Sequence, residues 1–476
     1  TFKLGEKVGV RLSAGGYNSD EFGTGIPAAD APILSQGPRK RSVAANMLAQ
    51  VTPDSQIGVE LTKVLERRSE MIMLNAYMPG DYDLWSAKVS YTANTDFGLI
   101  EATAYQNVTD IDAETDFLKA YFDNTVRVVK IQDLFKIGTD HSFRISGEYR
   151  RNQLDNLQGA SAKVAYDVYS VGGMWDWAIS DKWNLVNAVR LDHLRLDRSG
   201  PFVGASPHTN ADYQRKLTEP SFNSGVVYKA TDKDTVRLSV ARGVGVPSLY
   251  EFGNMIWFPL SPSFTLGEYG NPRLNPTIVT NYELAYDRTI DEIGGGLRTS
   301  VYYQTNKAMK SAMQTVGATP ASLINVAENF GDSKAFGAEA ALRGRIGTDW
   351  SWKVGYAFEV VNDDFGAIAT SSYNFEDSTA RHKISAELGY THGKWEANLF
   401  GQYVSGTEML RMVAMDVPAN LVEVPASLTV AARLGYEITE GVQAAVTGFN
   451  ITQDSQRLTA GIPEERRILF SLSAGF

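Results

Sequence analysis

The stretch Arg466-Arg467-Ile468-Leu469-Phe470-Ser471-Leu472-Ser473-Ala474-Gly475-Phe476 decides the fold. Taken alternately, Ile468, Phe470, Leu472, Ala474 and Phe476 fall on one side of an extended chain. Arg467, Leu469, Ser471, Ser473 and Gly475 fall on the other. Side chains of a strand alternate between its two faces, so one face is apolar to the last residue and the other is mostly small or polar. A soluble strand has little use for an apolar stripe closed by an aromatic. A membrane-spanning β-strand requires one, because lipid touches one face and a polar lumen the other.

Working outward, the same alternation recurs along the chain. Val8, Val10 and Leu12 stripe a first segment, expected as one strand from Lys3 to Ala14. Trp85, Ala87, Val89, Tyr91 and Ala93 stripe another, and Val236, Leu238 and Val240 alternate with Arg237 and Ser239. Tyr282, Leu284 and Tyr286 alternate with Glu283 and Asp287, and Val301 and Tyr303 with Ser300 and Tyr302. Periodicity alone does not separate a membrane barrel from a soluble sandwich; the connections do. Short turns stand at Thr52–Ser55, Thr95–Gly98, Gly138–His141, Ser180–Lys182, Thr231–Asp234, Asp291–Gly296, Thr348–Ser351, Thr391–Lys394 and Thr439–Gly441. Long loops follow Ala14, Arg68, Asn107, Asn152, Asp197, Arg242, Asn306, Asn362, Ser405 and Gln453. The two sets alternate strictly, so nineteen connections join twenty antiparallel strands. Short periplasmic turns and long extracellular loops are the asymmetry of an outer-membrane barrel. Trp175, Trp177, Trp183, Trp350, Trp352 and Trp395, six of eight tryptophans, lie near short turns, where an aromatic girdle belongs.

Composition agrees. The chain has 476 residues, 43% of them hydrophobic, and a mean hydropathy of −0.21. No run approaches the roughly 18 apolar residues of a membrane helix, which excludes a helical membrane protein. The 22 Tyr, 21 Phe and 42 Gly suit many half-buried strands and turns. There is no cysteine, which removes disulfide and thiol chemistry. A net charge of −10 argues against nucleic acid as a partner. Thr1-Phe2-Lys3-Leu4 shows no leader pattern, so a signal peptide is expected to have been removed or to lie upstream. The fold is read as all-β, one transmembrane antiparallel β-barrel domain over 1–476.

Two stretches carry a family resemblance. Ser239-Val240-Ala241-Arg242-Gly243 through Pro247-Ser248-Leu249-Tyr250-Glu251, and Gly270-Asn271-Pro272-Arg273-Leu274-Asn275-Pro276 followed by Asn281-Tyr282-Glu283-Leu284, resemble paired segments of TonB-dependent outer-membrane receptors. Smaller echoes are Arg190-Leu191-Asp192-His193 and Phe336-Gly337-Ala338-Glu339, and the terminal Phe476 is similar to the C-terminal signal of outer-membrane barrels. Val244 to Val246 and Thr277 depart from the family's usual residues. The resemblance implies a 22-stranded barrel in a Gram-negative outer membrane, a plug inside it, and energy delivered by the TonB complex through a short N-terminal box. With twenty strands visible, the plug, the TonB box and the first two strands are expected to lie outside this numbering. A 20-stranded passive channel narrowed by an inward-folded loop is the alternative. There the last strand would close on Lys3–Ala14.

No catalytic constellation emerges. His141, His193, His208, His382 and His392 are scattered without metal-ligand spacing, so neither an enzyme nor a resident cofactor is expected. For uptake, binding is expected where the long loops meet the upper lumen. The longest loop carries Tyr250, Trp257, Phe258 and Tyr269, suited to stacking on an aromatic siderophore or porphyrin, or to packing the loop itself. Arg144 and Arg150 share a strand face and are candidate contacts for an anionic metal chelate; wall-to-plug pairing is the plainer role for such charges. Arg67-Arg68 and Arg150-Arg151 lie near the outer rim, where lipopolysaccharide phosphates are an equally good destination. Met409, Met412 and Met415 recur at every third residue in another loop. Thioethers select Cu(I), so copper uptake is a second reading; adaptable apolar packing is the plainer one. A surface receptor that binds without transporting is a third.

Overall fold

The computed structural model describes all residues except 21–36, 72–76, 115–118, 156–160, 203–205, 254, 262, 366–373, 412–419 and 476. Alternating β-branched and aromatic residues form strands throughout, as a half-buried pleated surface requires. In chain order these are β1 (Phe2–Leu4), β2 (Val8–Asn18), β3 (Arg39–Thr52), β4 (Ser55–Met71), β5 (Tyr77–Asn94), β6 (Leu99–Glu114), β7 (Lys119–Ile137), β8 (His141–Asp155), β9 (Lys163–Ala178) and β10 (Trp183–Ser199). There follow β11 (Arg215–Lys229), β12 (Asp234–Gly245), a short helix α1 (Leu249–Gly253), β13 (Met255–Ser261), β14 (Phe264–Tyr269), β15 (Thr277–Ile290), β16 (Gly295–Thr319), β17 (Ser322–Ile346) and β18 (Trp350–Phe365). The last are β19 (His382–His392), β20 (Trp395–Val404), β21 (Thr407–Arg411), β22 (Asn420–Val424), β23 (Ser427–Thr439), β24 (Val442–Phe449), β25 (Ser455–Gln456), β26 (Glu464–Glu465) and β27 (Arg467–Ala474).

One 23-stranded sheet contains β1 to β20, β23, β24 and β27. Within it β13 and β14 belong to a connection; the other strands form a wall in which each is antiparallel to the next. A sheet this wide curls rather than staying open. Its outward face is apolar and bare: Phe470 is 81% exposed, Leu472 72% and Leu238 58%. Large apolar chains displayed on strand after strand have one suitable solvent, lipid. The opposite face carries the residues between them, such as Arg190, Ser239, Glu283, Tyr302 and Glu339, and lines the lumen.

The aromatic girdle lies on the outward face at the short-turn end. Trp175 stacks on Trp177 at 5.4 Å and lies parallel to Phe143 at 6.3 Å. Trp183 meets Tyr228 at 4.3 Å, and Trp350 and Trp395 each meet a tyrosine, Tyr390 and Tyr436, at 4.6 Å. In the lumen, Gly337 is required by its cross-strand neighbour: a Cβ there would stand 2.2 Å from the Tyr302 ring.

Two expectations are corrected. Lys3–Ala14 is two strands, because Gly5 adopts φ +67 and turns the chain between β1 and β2. Alternation continues across that turn and so concealed it; glycine takes the left-handed conformation without strain. Second, the loop expected after Asn306 is a hairpin extension. Here β16 and β17 each run for 25 residues to a turn at Thr319–Ser322, with register shifts near Met309. The closure of the terminal strand on Lys3–Ala14, which the passive-channel alternative requires, is not found among the described residues: β27 pairs with β24 alone and β1 with β2 alone.

Candidate functional site: the barrel mouth and the pocket beneath it

The connection from β12 to β15 is built by local polar contacts before it packs against anything. Ser248 and Glu251 form a reciprocal cap on α1: the Ser248 backbone N–H donates to Glu251 Oε2 at 2.7 Å, and the Glu251 N–H donates to Ser248 Oγ at 3.1 Å. Asn271, 4% exposed, accepts the Arg273 backbone N–H at 2.8 Å and donates from Nδ2 to Glu328 at 3.2 Å. Arg215 reaches across from β11 and donates to the carbonyls of Pro272 and Leu274 at 2.8 and 2.6 Å. Asn329 ties Asn275 through two hydrogen bonds, of 2.8 and 3.1 Å. Both family-like motifs are thus turn and cap chemistry that shapes this connection.

So shaped, the connection folds inward. Leu249, Phe252, Met255, Tyr269 and Leu274 share one buried cluster with Leu154, Val164, Leu194 and Leu196. These last four stand on the lumen-facing side of β8, β9 and β10, since their strand neighbours Tyr169, Val171, Val189 and Leu191 face lipid. The hairpin β13–β14 docks by parallel pairing of β14 on β17, from Thr265 opposite Ser322 to Tyr269 opposite Val326. The mouth therefore has a rigid cover with its own apolar core.

Arg198 is buried in that core. Its guanidinium lies 3.5 Å from the Phe202 ring centre and donates to Asn210 at 2.5 Å and to the carbonyls of Gly200 and Pro201 at 3.2 and 2.9 Å. Burial pulls its pKa down and pushes that of Tyr213 up. Hydrogen bonds from Thr209 hold Asp212 at about 2, while burial lowers His208. On β14, burial without a charged partner pushes Glu268 up to about 7.

Beneath the cover lies a pocket of about 290 Å³ on the lumen wall. One side is apolar, from Val168, Leu194, Leu217, Val244 and Val246; the other presents Arg150, Arg190, Asp192 and Glu219. Glu148 braces both arginines, accepting from Arg150 Nη2 at 2.8 Å and Arg190 Nη2 at 3.2 Å. Asp192 accepts from Arg190 Nε at 2.8 Å and Ser170 from its Nη2 at 2.7 Å. The Nε of Arg150 is buried without a partner among the described residues. Such an arrangement holds two planar cations in fixed orientation, suited to an anionic group carried on an apolar body.

The sequence candidates are distributed unevenly. Arg150 lines the pocket, whereas Arg144 stands exposed lower on β8, about 20 Å away at strand rise. Tyr269 is 1% exposed, and its hydroxyl accepts from Trp257 Nε1 at 2.9 Å, so both rings help to build the cover. Tyr250 is 40% exposed with its edge on Phe122. The side chain of Phe258 lies outside the described residues, as do Met412 and Met415; Met409 pairs with Val422 in the hairpin β21–β22. In the sequence Arg190 stands out both as part of a motif and by sharing a strand face with Asp192, whereas Arg198, Arg215 and Asn329 carry no signal.

A family profile described as TonB dependent receptor-like, beta-barrel, matches residues 17–451. The chain belongs to the TonB-dependent receptor family. This receptor is thus a multi-strand barrel of a Gram-negative outer membrane. Among solved structures it is similar to the siderophore receptor PirA from Acinetobacter baumannii, with a TM-score of 0.77 at 13% identity over 99% of this chain and 76% of that one. The copper transporter OprC matches with a TM-score of 0.77 at 14% identity, over 98% and 76%. The ferric-catecholate import receptor Fiu from E. coli K12 matches with a TM-score of 0.72 at 13% identity, over 99% and 78%. At such identities the likeness carries the fold. A search of curated proteins by sequence found no match.

Proposed function

We propose that this receptor imports a metal chelate across the outer membrane, a ferric siderophore or haem-like iron complex before others, with energy delivered by TonB. The observation that supports this reading is the pocket under the inward-folded cover, where Arg150 and Arg190 meet an apolar wall at the top of the lumen. An anionic chelate with an apolar or aromatic periphery satisfies both halves. Glu148 and Asp192 keep the guanidinium groups in place, so little ordering is left for the ligand to impose. In this mechanism the chelate is captured at the mouth and settles on the two arginines. It passes down the lumen once TonB-driven rearrangement opens the way.

The test is uptake of radiolabelled iron chelates by cells that depend on this receptor, with and without TonB. TonB-dependent entry of an iron chelate, lost in Arg150→Ala/Arg190→Ala at unchanged receptor level, is the expected result. Entry that persists without TonB would replace the reading by a passive channel. Copper entry lost on changing Met409, Met412 and Met415 to Leu would replace the cargo. Ligand that binds cells and never enters would leave a receptor without transport.

A further inference from the structure

The pocket beneath the cover is assembled from two cross-strand rows of the wall. Register sets Arg150, Val168, Leu194 and Leu217 side by side across β8 to β11. The next row toward the short-turn end on the same face is Glu148, Ser170, Asp192 and Glu219. One row is therefore apolar with a single cation at its end, and the other is polar throughout. Val244, Val246 and Pro276 complete the lining from the connection, and Tyr166 adds an aromatic ring.

Size sets the first limit on what this pocket can hold. A cavity of about 150 Å³ is filled by one benzene molecule, and sites for whole drug-sized ligands run to about 300–1,000 Å³. At about 290 Å³ the pocket accommodates one aryl ring with its substituents. A ferric chelate folds several such groups around one ion and is too bulky to enter whole. Charge sets the second limit. Arg150, Arg190 and Arg242 stand against Glu148, Asp192 and Glu219, so the set is balanced. Arg242 is paired with Glu219 at 2.9 Å, and Arg190 is held by Glu148 and Asp192 at 3.2 and 2.8 Å. Such a site has no excess positive field to draw in a multiply charged metal centre. One valence is left over. Arg150 gives its Nη2 to Glu148, but its Nε is buried without a partner among the described residues. A buried donor without an acceptor is costly, and a ligand oxygen would relieve it.

We propose that this pocket takes a single arm of the chelate and not its metal centre: an aryl ring seated on Val168, Leu194 and Leu217, carrying one acidic oxygen group that accepts from Arg150 Nε. The ion and the remaining arms stay outside, in the lumen. The proposal rests on the import reading and narrows it. Selection at this site is for the arm, so the arm by itself is a ligand, and the pocket does not read which metal the chelate carries.

The experiment titrates the full-length receptor in detergent with para-fluorobenzoate and with the neutral para-fluorobenzamide, both followed by fluorine NMR. Saturable binding of the benzoate is expected, with the amide at least tenfold weaker. Arg150→Gln removes the orphan donor, and Leu217→Trp fills the pocket while leaving both arginines; each is expected to weaken benzoate at least tenfold. A heat-modifiable gel shift checks that both variants are folded. Benzoate binding unchanged in either variant, or no benzoate binding by a receptor that takes up iron chelate through Arg150, overturns the proposal. Uptake of labelled iron chelate, with and without TonB, separates it from the import reading. TonB-dependent entry that survives Leu217→Trp overturns the single-arm pocket and leaves import standing. Benzoate binding that needs Arg150, in a receptor through which no iron chelate enters, leaves the pocket as assigned and overturns import.

Discussion

Leu238 and Ser239 are neighbours on the wall, and Glu268 and Tyr269 are neighbours at the mouth, but the two pairs obey different solvents. On the wall the apolar member is the exposed one, at 58%, because lipid is its surroundings. At the mouth the apolar member is 1% exposed, and the carboxyl beside it is also drawn into low dielectric. Away from the patch on β8 to β10 where the cover lands, the wall is held by its backbone ladder, which hydrocarbon makes obligatory, rather than by an inner apolar core. The cover is a small soluble core laid over a polar lumen, held by side-chain packing and by Arg198 and Arg215. Stability in the two regions should therefore respond to different substitutions.

The largest effect should come from the cover. Tyr269→Ala removes a buried aromatic and is expected to cost about 3–5 kcal/mol. The loss should appear as hydrogen exchange at 199–214 and 246–276, with β2 to β7 unchanged; uniform loss would mean that mouth and wall are one cooperative unit. On the wall, Leu238→Arg is expected to cost about 2–4 kcal/mol in denaturant titrations of vesicle-embedded receptor. Ser239→Arg, facing the lumen, should be near neutral, and equal costs would contradict the assigned faces. Gly337→Ala is expected to cost about 1–3 kcal/mol through overpacking against Tyr302, with most of it recovered by adding Tyr302→Ser.

The smallest effect is a pH dependence confined to the β13–β14 hairpin. Glu268 has its pKa raised by burial from 4.5 to about 7, so the docked hairpin prefers the protonated acid. Docking is at full strength below the ordinary carboxyl value and weakens as pH rises through about 4.5 to 7. Protection factors in this hairpin should fall over that window and become flat in Glu268→Gln. His208, lowered by burial, has the opposite sign: it disfavours the segment 199–214 as pH falls below its ordinary value. A hairpin that tightens on raising the pH would contradict the assignment to Glu268.

The contrast also explains what could be read from residues alone. Alternation and turn asymmetry located all nine expected turns and the tryptophan girdle, since both follow from lipid on one face. The turn at Gly5 was hidden because alternation does not break there. The cover was illegible as a structure, since its core residues have no common period. One signal was available nonetheless. Leu154, Val164, Leu194 and Leu196 are apolar on the lumen-facing side, where the pattern calls for polar residues, and together they marked the surface on which a loop would land. Arg150 stood out by charge, whereas the buried Arg198 resembles any loop arginine in sequence and owes its place to packing.

The central claim is that the cover guards the route of the chelate and must yield for import. The absence of cysteine makes this directly testable. A Cβ at Gly253 would lie 3.0 Å from the Cβ of Val164, close to disulfide range, and cysteine at both sites also removes the valine methyl groups that would crowd it. In the Val164→Cys/Gly253→Cys receptor, uptake of labelled iron chelate is expected to stop on oxidation and to return on reduction, with either single variant unaffected. Undiminished uptake through the fully oxidised tether would contradict the claim.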